Sequence, residues 1–167
     1  MAVVFFLVLT WPLCTFFPRF SLPGEPESWD GVKNCCCRFA GFGGECTPCI
    51  QRNVILPEKD FLIFGREDCL YLNVFTPRLR DDTAGKGDES GNDDLLPVIV
   101  WFHGGAFSIG DNNCSIYGPD TLFDGAPGRG VVLVTVQYRL GPFGFLSFEN
   151  DQAPGNLGLH DQVLAGQ

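Results

Sequence analysis

Apolar residues in this chain cluster in short runs, and long stretches rich in Gly, Pro and polar residues separate the runs. Phe61 to Phe64 is a short apolar piece that predicts a strand. Cys69-Leu-Tyr-Leu-Asn-Val-Phe-Thr76 alternates with the period of a half-buried strand, and Pro77 ends it. Pro97 leads into Val98-Ile-Val-Trp-Phe102, a continuous apolar run of the kind expected in a strand buried on both faces, which His103-Gly-Gly105 closes abruptly. Val131 to Val136 is a second strand of that type. Gly141, Pro142 and Gly144 predict a turn, and Leu157 to Ala165 predicts a short helix with Asn156 as its N-cap. Residues 23–60 and 108–129 read as irregular, and no internal repeat is present. Two buried-type strands joined by long connections predict an α/β fold. The strand–long helix alternation of a complete α/β domain is missing, which is natural for a fragment.

The first residues, Met1 to Leu9, form another apolar run, too short to span a bilayer. No Lys or Arg precedes it and no small-residue cleavage site follows. Residues 1–18 are therefore set apart as a signal-like or mispredicted leader, with a hydrophobic strand as the competing account. Formal net charge is −9 over 167 residues. Residues 81–94 hold six acids against one lysine and so supply −5 of it, as a solvated acidic loop. A basic nucleic-acid footprint is absent. Eight cysteines (Cys14, Cys35, Cys36, Cys37, Cys46, Cys49, Cys69 and Cys114) suit a disulfide-permissive compartment. Zinc would need a second cysteine pair or suitably spaced histidines, and His103 and His160 stand far from the cysteines. No metal and no cofactor are expected. Asn113-Cys-Ser115 is a glycosylation sequon if the chain is secreted.

The chemistry concentrates where the first buried-type strand runs into His103-Gly104-Gly105-Ala106-Phe107. Glycines after a strand let the backbone turn sharply, so that successive N–H groups can face a cleft. Such donors stabilise the oxygen that becomes negative when an ester carbonyl is attacked, and one donor is worth ~3–4 kcal/mol. A tight turn without chemistry is the alternative reading of His-Gly-Gly alone.

The surrounding segments decide between these readings. Glu67-Asp-Cys-Leu-Tyr-Leu-Asn-Val-Phe-Thr-Pro77, Pro97 to Phe107, Val131 to Leu146 and Pro154-Gly-Asn-Leu-Gly-Leu-His-Asp-Gln162 resemble, in order, four segments of the type B carboxylesterases. That family includes the cholinesterases and insect esterases. The resemblance is clear from about Arg66 to Ala165 and weaker at Arg19-Phe20 and Glu25 to Val32. It implies a partial α/β-hydrolase fold over residues 19–167 and a small ester as substrate of the parent enzyme. The N–H groups of Gly105 and Ala106 would be the oxyanion donors, with Gly104 enabling the turn and Ala106 standing where many members carry a third glycine. The resemblance also implies that Cys69 closes a disulfide with Cys49, or failing that Cys46, and that Arg19 and Glu67 form a buried ion pair. Arg139 matches an arginine whose acidic partner would lie beyond Gln167, so a surface arginine is its alternative reading. His160 and Asp161 are read as structural. Secretion follows by family resemblance alone.

The nucleophile elbow Gly-x-Ser-x-Gly is absent. Ser21, Ser28, Ser90, Ser108, Ser115 and Ser147 all lack that setting. In this hydrolase class nucleophile, acid and base follow the oxyanion loop in that order, so all three are expected downstream of Gln167. Family-like sequence that starts and stops abruptly suggests a truncated or mispredicted gene product. Three functions are weighed: an inactive portion of a serine carboxylic-ester hydrolase, a portion of a non-catalytic cholinesterase-like adhesion protein, and a small Cys-rich metal or redox protein. The Gly-Gly-Ala turn favours the first.

Overall fold

The structure is a computed structural model and describes residues 3–8, 19–24, 48–53, 63–77, 96–112, 117, 119, 130–150 and 153–167. Its strands are β1 (Val3–Val8), β2 (Gln51–Arg52), β3 (Ile63–Phe64), β4 (Tyr71–Thr76), β5 (Val98–Phe102), β6 (Val132–Val136), β7 (Ser147–Asn150) and β8 (Ala153–Pro154). Helix α1 (Gly141–Phe145) precedes β7 and helix α2 (Leu157–Ala165) follows β8.

The main sheet has the order β1-β4-β6-β5. β4 runs antiparallel to β1 and β6, with Leu72 opposite Val136 and Phe75 opposite Leu133. β5 and β6 are parallel, from Val98↔Val132 to Phe102↔Val136. Parallel neighbours need a long crossover, and the turn of interest is the first part of that crossover. Two small antiparallel pairs, β2–β3 and β7–β8, form separate two-stranded sheets. The apolar start of the chain is therefore a strand here, paired over six residues with β4.

Burial along β4 does not alternate as expected of a half-buried strand: Leu72 and Phe75, on opposite faces, are both buried, and Val136 and Leu133 of β6 stand opposite them. Cys49, Cys69, Leu70, Tyr138 and Leu140 extend this core past the strand ends. Asn73 of β4, Thr135 of β6 and Asn112 of the loop after β5 are buried polar residues. Asn73 donates to Thr135 Oγ1 (2.9 Å) and to the Asn112 carbonyl (3.0 Å), so both strands hold the exit of the loop that follows β5. Asn112 in turn donates to the carbonyls of Tyr71 and Thr135. Burying these amides without partners would cost ~1–3 kcal/mol each.

Three sequence expectations change. β5 is not buried on both faces: it stands at the sheet edge, with side chains from Val98 (58% exposed) to Phe102 (36%) open to solvent. A continuous apolar run states that a strand can be covered, not what covers it. The Gly141–Gly144 turn is a one-turn helix, because Pro142 sits in its first turn, where its missing N–H costs nothing. Asn156 holds the N-cap position of α2 but has a left-handed backbone (φ 54°) and makes no side-chain cap.

Candidate active-site turn

β5 ends at Phe102, and the chain reverses within four residues. Gly105 (φ 122°), Ala106 (φ 52°) and Phe107 (φ 57°) follow one another at positive φ. At Gly105 this conformation is obligatory, because a Cβ there would collide with the Ile109 carbonyl. The Gly105 carbonyl accepts from both Ser108 N (3.0 Å) and Ile109 N (3.1 Å), which closes the turn. Among the described residues, the N–H groups of Gly105 and Ala106 have no acceptor. Two adjacent donors are thus left without a backbone acceptor among the described residues, in a run of positive φ. Ala106 and Phe107 keep a conformation that costs a non-glycine residue ~1–2 kcal/mol, so surrounding contacts must impose it.

Those contacts come from the ends of β5 and β6. Tyr138, fully buried beyond β6, donates its hydroxyl to the His103 carbonyl at 2.7 Å. Its ring stacks on the His103 imidazole with centroids 4.4 Å apart. Phe107 packs edge-on to Tyr138 and against Phe145 of α1, and its carbonyl accepts from Gly141 N at 2.7 Å. His103 is buried, with Nδ1 2.9 Å from the Gly104 carbonyl. That nitrogen therefore carries the proton of the neutral ring. Burial holds the His103 pKa below its usual 6.5, against the opposing pulls of the Gly104 carbonyl, Asp111 and Gln137. The imidazole is thus a neutral wall of the turn. Burial also raises the Tyr138 hydroxyl pKa, which keeps it a donor.

A family model described as the carboxylesterase family matches residues 18–167. The chain belongs to the carboxylesterase family. It is 41% identical over 148 residues to juvenile hormone esterase of Tribolium castaneum, covering 88% of this chain and 21% of that protein. It is 39% identical over 153 residues to para-nitrobenzyl esterase of Bacillus subtilis, covering 88% and 26%. Among solved structures, juvenile hormone esterase from Manduca sexta, with OTFP covalently attached, superposes with a TM-score of 0.60 at 30% identity, covering 88% of this chain and 24% of that one. The chain thus spans about a fifth to a quarter of the length of these relatives. Its sheet is part of the α/β-hydrolase fold of such esterases.

Within this carboxylesterase chain, Cys49 and Cys69 form a disulfide with Cα atoms 4.9 Å apart. Arg19 Nη2 lies 2.8 Å from Glu67 Oε1, but the pair is open to solvent, with side chains 62% and 28% exposed. The expectation for Arg139 is overturned. Its acidic partner is Asp161 of α2, within the chain, and the arginine is buried. Asp161 accepts from Arg139 N (3.0 Å), Nε (2.8 Å) and Nη2 (2.7 Å). Helix α2 folds back over the end of β6, and this brings together residues that are 22 apart in sequence. His160, one residue away, faces solvent. Asn113 lies outside the described residues. The described residues contain no cluster of His, Cys, Asp or Glu able to hold a metal ion. Sequence reasoning gave no role to Tyr138, and it took Gln51 only as part of Cys49-Ile-Gln51, which resembles a family motif; both contact the turn from outside it. For Tyr138 the available signal was a polar residue closing an apolar segment.

Proposed function

We propose that this chain provides the oxyanion-stabilising part of a serine carboxylic-ester hydrolase, with Gly105 and Ala106 N–H as donors and Gly104 as the residue that allows the turn. The observation that carries the reading is the pair of adjacent N–H groups at the end of a strand of the main sheet that find no acceptor among the described residues. Preorganised backbone donors of this type favour the tetrahedral oxyanion over the ground-state carbonyl, because they need no reorganisation as charge develops. The nucleophile, base and acid have no counterpart among these residues: no Gly-x-Ser-x-Gly occurs in the sequence. With no group to attack the carbonyl, the donors have no charge to stabilise, and the chain by itself is inactive on esters. The parent substrate is a small carboxylic ester. The Cys49–Cys69 disulfide supports an oxidising, extracellular setting.

The test has two arms. The purified chain should hydrolyse p-nitrophenyl acetate no faster than buffer does, and saturable turnover would refute its inactivity. Residues 18–167 should also replace the matching segment of para-nitrobenzyl esterase with retention of activity. In that chimera Gly105→Ala, whose Cβ meets the Ile109 carbonyl, should lower kcat by roughly 10²–10³. An active chimera indifferent to this substitution would sink the oxyanion assignment.

A further inference from the structure

The turn that carries the two donors is gripped from outside by one buried side chain. Gln51 of β2 is buried beside the Cys49–Cys69 disulfide. Its Nε2 donates to the Gly110 carbonyl at 2.7 Å, and its Oε1 accepts from the Gly110 N–H at 2.7 Å. The second Nε2 hydrogen goes to the Cys49 carbonyl at 3.1 Å. Every hydrogen and the acceptor of the amide are thereby used, two on Gly110 and one on the disulfide-bearing strand. A two-point contact fixes both the position and the orientation of a peptide unit, which a single hydrogen bond does not.

Gly110 is the far end of the turn and lies against its beginning. It has φ 120°, and a Cβ on it would collide with the His103 ring and the Gly104 carbonyl. Whatever sets Gly110 therefore sets the base from which Gly105 and Ala106 project. The other end of the grip is equally determined. Cys49 is tied covalently to Cys69, Arg66 N donates to the Pro48 carbonyl at 2.9 Å, and β2 pairs with β3 through Gln51↔Phe64.

We propose that Gln51 is the positioning residue of the His103–Gly110 turn, and that the Cys49–Cys69 disulfide acts on the oxyanion donors by holding Gln51 against Gly110. The disulfide thus serves the site as well as overall stability, although neither sulfur is part of the turn. The functional meaning rests on the oxyanion reading above, but the clamp itself is tested without it.

The experiment is residue-resolved amide hydrogen exchange and ¹⁵N NMR on the full chain. The reporters are Ser108 and Ile109, whose N–H groups bond the Gly105 carbonyl, and the chemical shifts of Gly105 and Ala106. Amides of Val74 and Val134, paired across β4 and β6, are the internal control. Gln51→Ala should speed exchange at Ser108 and Ile109 at least tenfold and shift the Gly105 and Ala106 resonances, with the control amides changed less than twofold. Gln51→Glu keeps the acceptor for Gly110 N–H but turns a carboxylate oxygen toward the Gly110 and Cys49 carbonyls, so it should loosen the reporters at least as much as Gln51→Ala. The Cys49→Ala/Cys69→Ala variant should loosen the Gly110 amide and the same reporters. Unchanged protection at Ser108 and Ile109 in Gln51→Ala overturns the proposal. So does loss spread evenly over turn and sheet in both Gln51 variants, since Gln51 would then be a general fold residue. The expected exchange pattern together with an inactive chimera would leave the clamp standing and remove the ester-hydrolase reading.

Discussion

Asp161→Asn is the substitution whose effect the structure determines most sharply. The two side chains have nearly the same size, so packing is preserved and charge and hydrogen bonding change. The native carboxylate is fully buried and accepts three N–H groups of Arg139, whose own side chain is 9% exposed. An asparagine can keep its oxygen on one side, but its NH₂ must then face guanidinium donors. The Arg139 guanidinium keeps the Ser21 carbonyl as an acceptor (2.9 Å) but loses the carboxylate that balances its charge. Removing one member of a buried pair costs about 3–5 kcal/mol, a large share of the ~5–15 kcal/mol that holds a domain together. With a urea m-value of roughly 2 kcal/mol/M, the midpoint followed by tryptophan fluorescence should fall by about 1.5–2.5 M.

Glu67→Gln is the matched control. Its partner Arg19 approaches as closely, 2.8 Å against 2.7 Å, but in solvent. Exposed pairs contribute ~0–1 kcal/mol, so the midpoint should move by less than about 0.5 M at the same m-value. The double variant Arg139→Met/Asp161→Leu should recover part of the Asp161→Asn loss, because no charge then remains buried. A midpoint for Asp161→Asn within the shift of Glu67→Gln would refute the reasoning, since burial would then not be what separates the two pairs.

Three further outcomes are expected. Ala106→Gly relieves ~1–2 kcal/mol of left-handed strain against ~0.4–1 kcal/mol of added unfolded-chain entropy; thermal melting should show it more stable, whereas Phe107→Gly should destabilise through loss of the contacts with Tyr138 and Phe145. His103 titrates below its usual 6.5 in the folded chain, so the unfolded chain binds the extra proton first. The stability this contributes is complete above pH 6.5 and is lost as pH falls through the folded value; urea midpoints at pH 7.5 and 5.5 should diverge less in His103→Phe than in the unaltered chain. Cys49→Ala/Cys69→Ala opens a loop with a sequence separation of 20 and should lower stability by ~3 kcal/mol in the chain-entropy model, read from the same denaturation curves.

What the sequence made legible follows from which forces act locally. β4 and β6 could be placed as strands from their β-branched and aromatic residues, though not their buried faces, and α2 matches its expected span of Leu157–Ala165. The turn at Gly104, Gly105 and Ala106 could be read because glycine after a strand marks a backbone reversal. The partner of Arg139 could not. An ion pair between residues 22 apart depends on how a helix returns over a sheet, and no local period carries that information. Motif matching placed the arginine in the right family context and still sent its partner outside the chain. Gln51 shows the same limit from the other side. Cys49-Ile-Gln51 resembles a family motif, but nothing local to it names a partner for the amide, which bonds Gly110 across a sequence separation of 59. The turn is thus written where it stands, and the residue that bonds its far end is written elsewhere. The His-Gly-Gly-Ala segment by itself does not point to Gln51, and a substitution there would look neutral until amide exchange was measured.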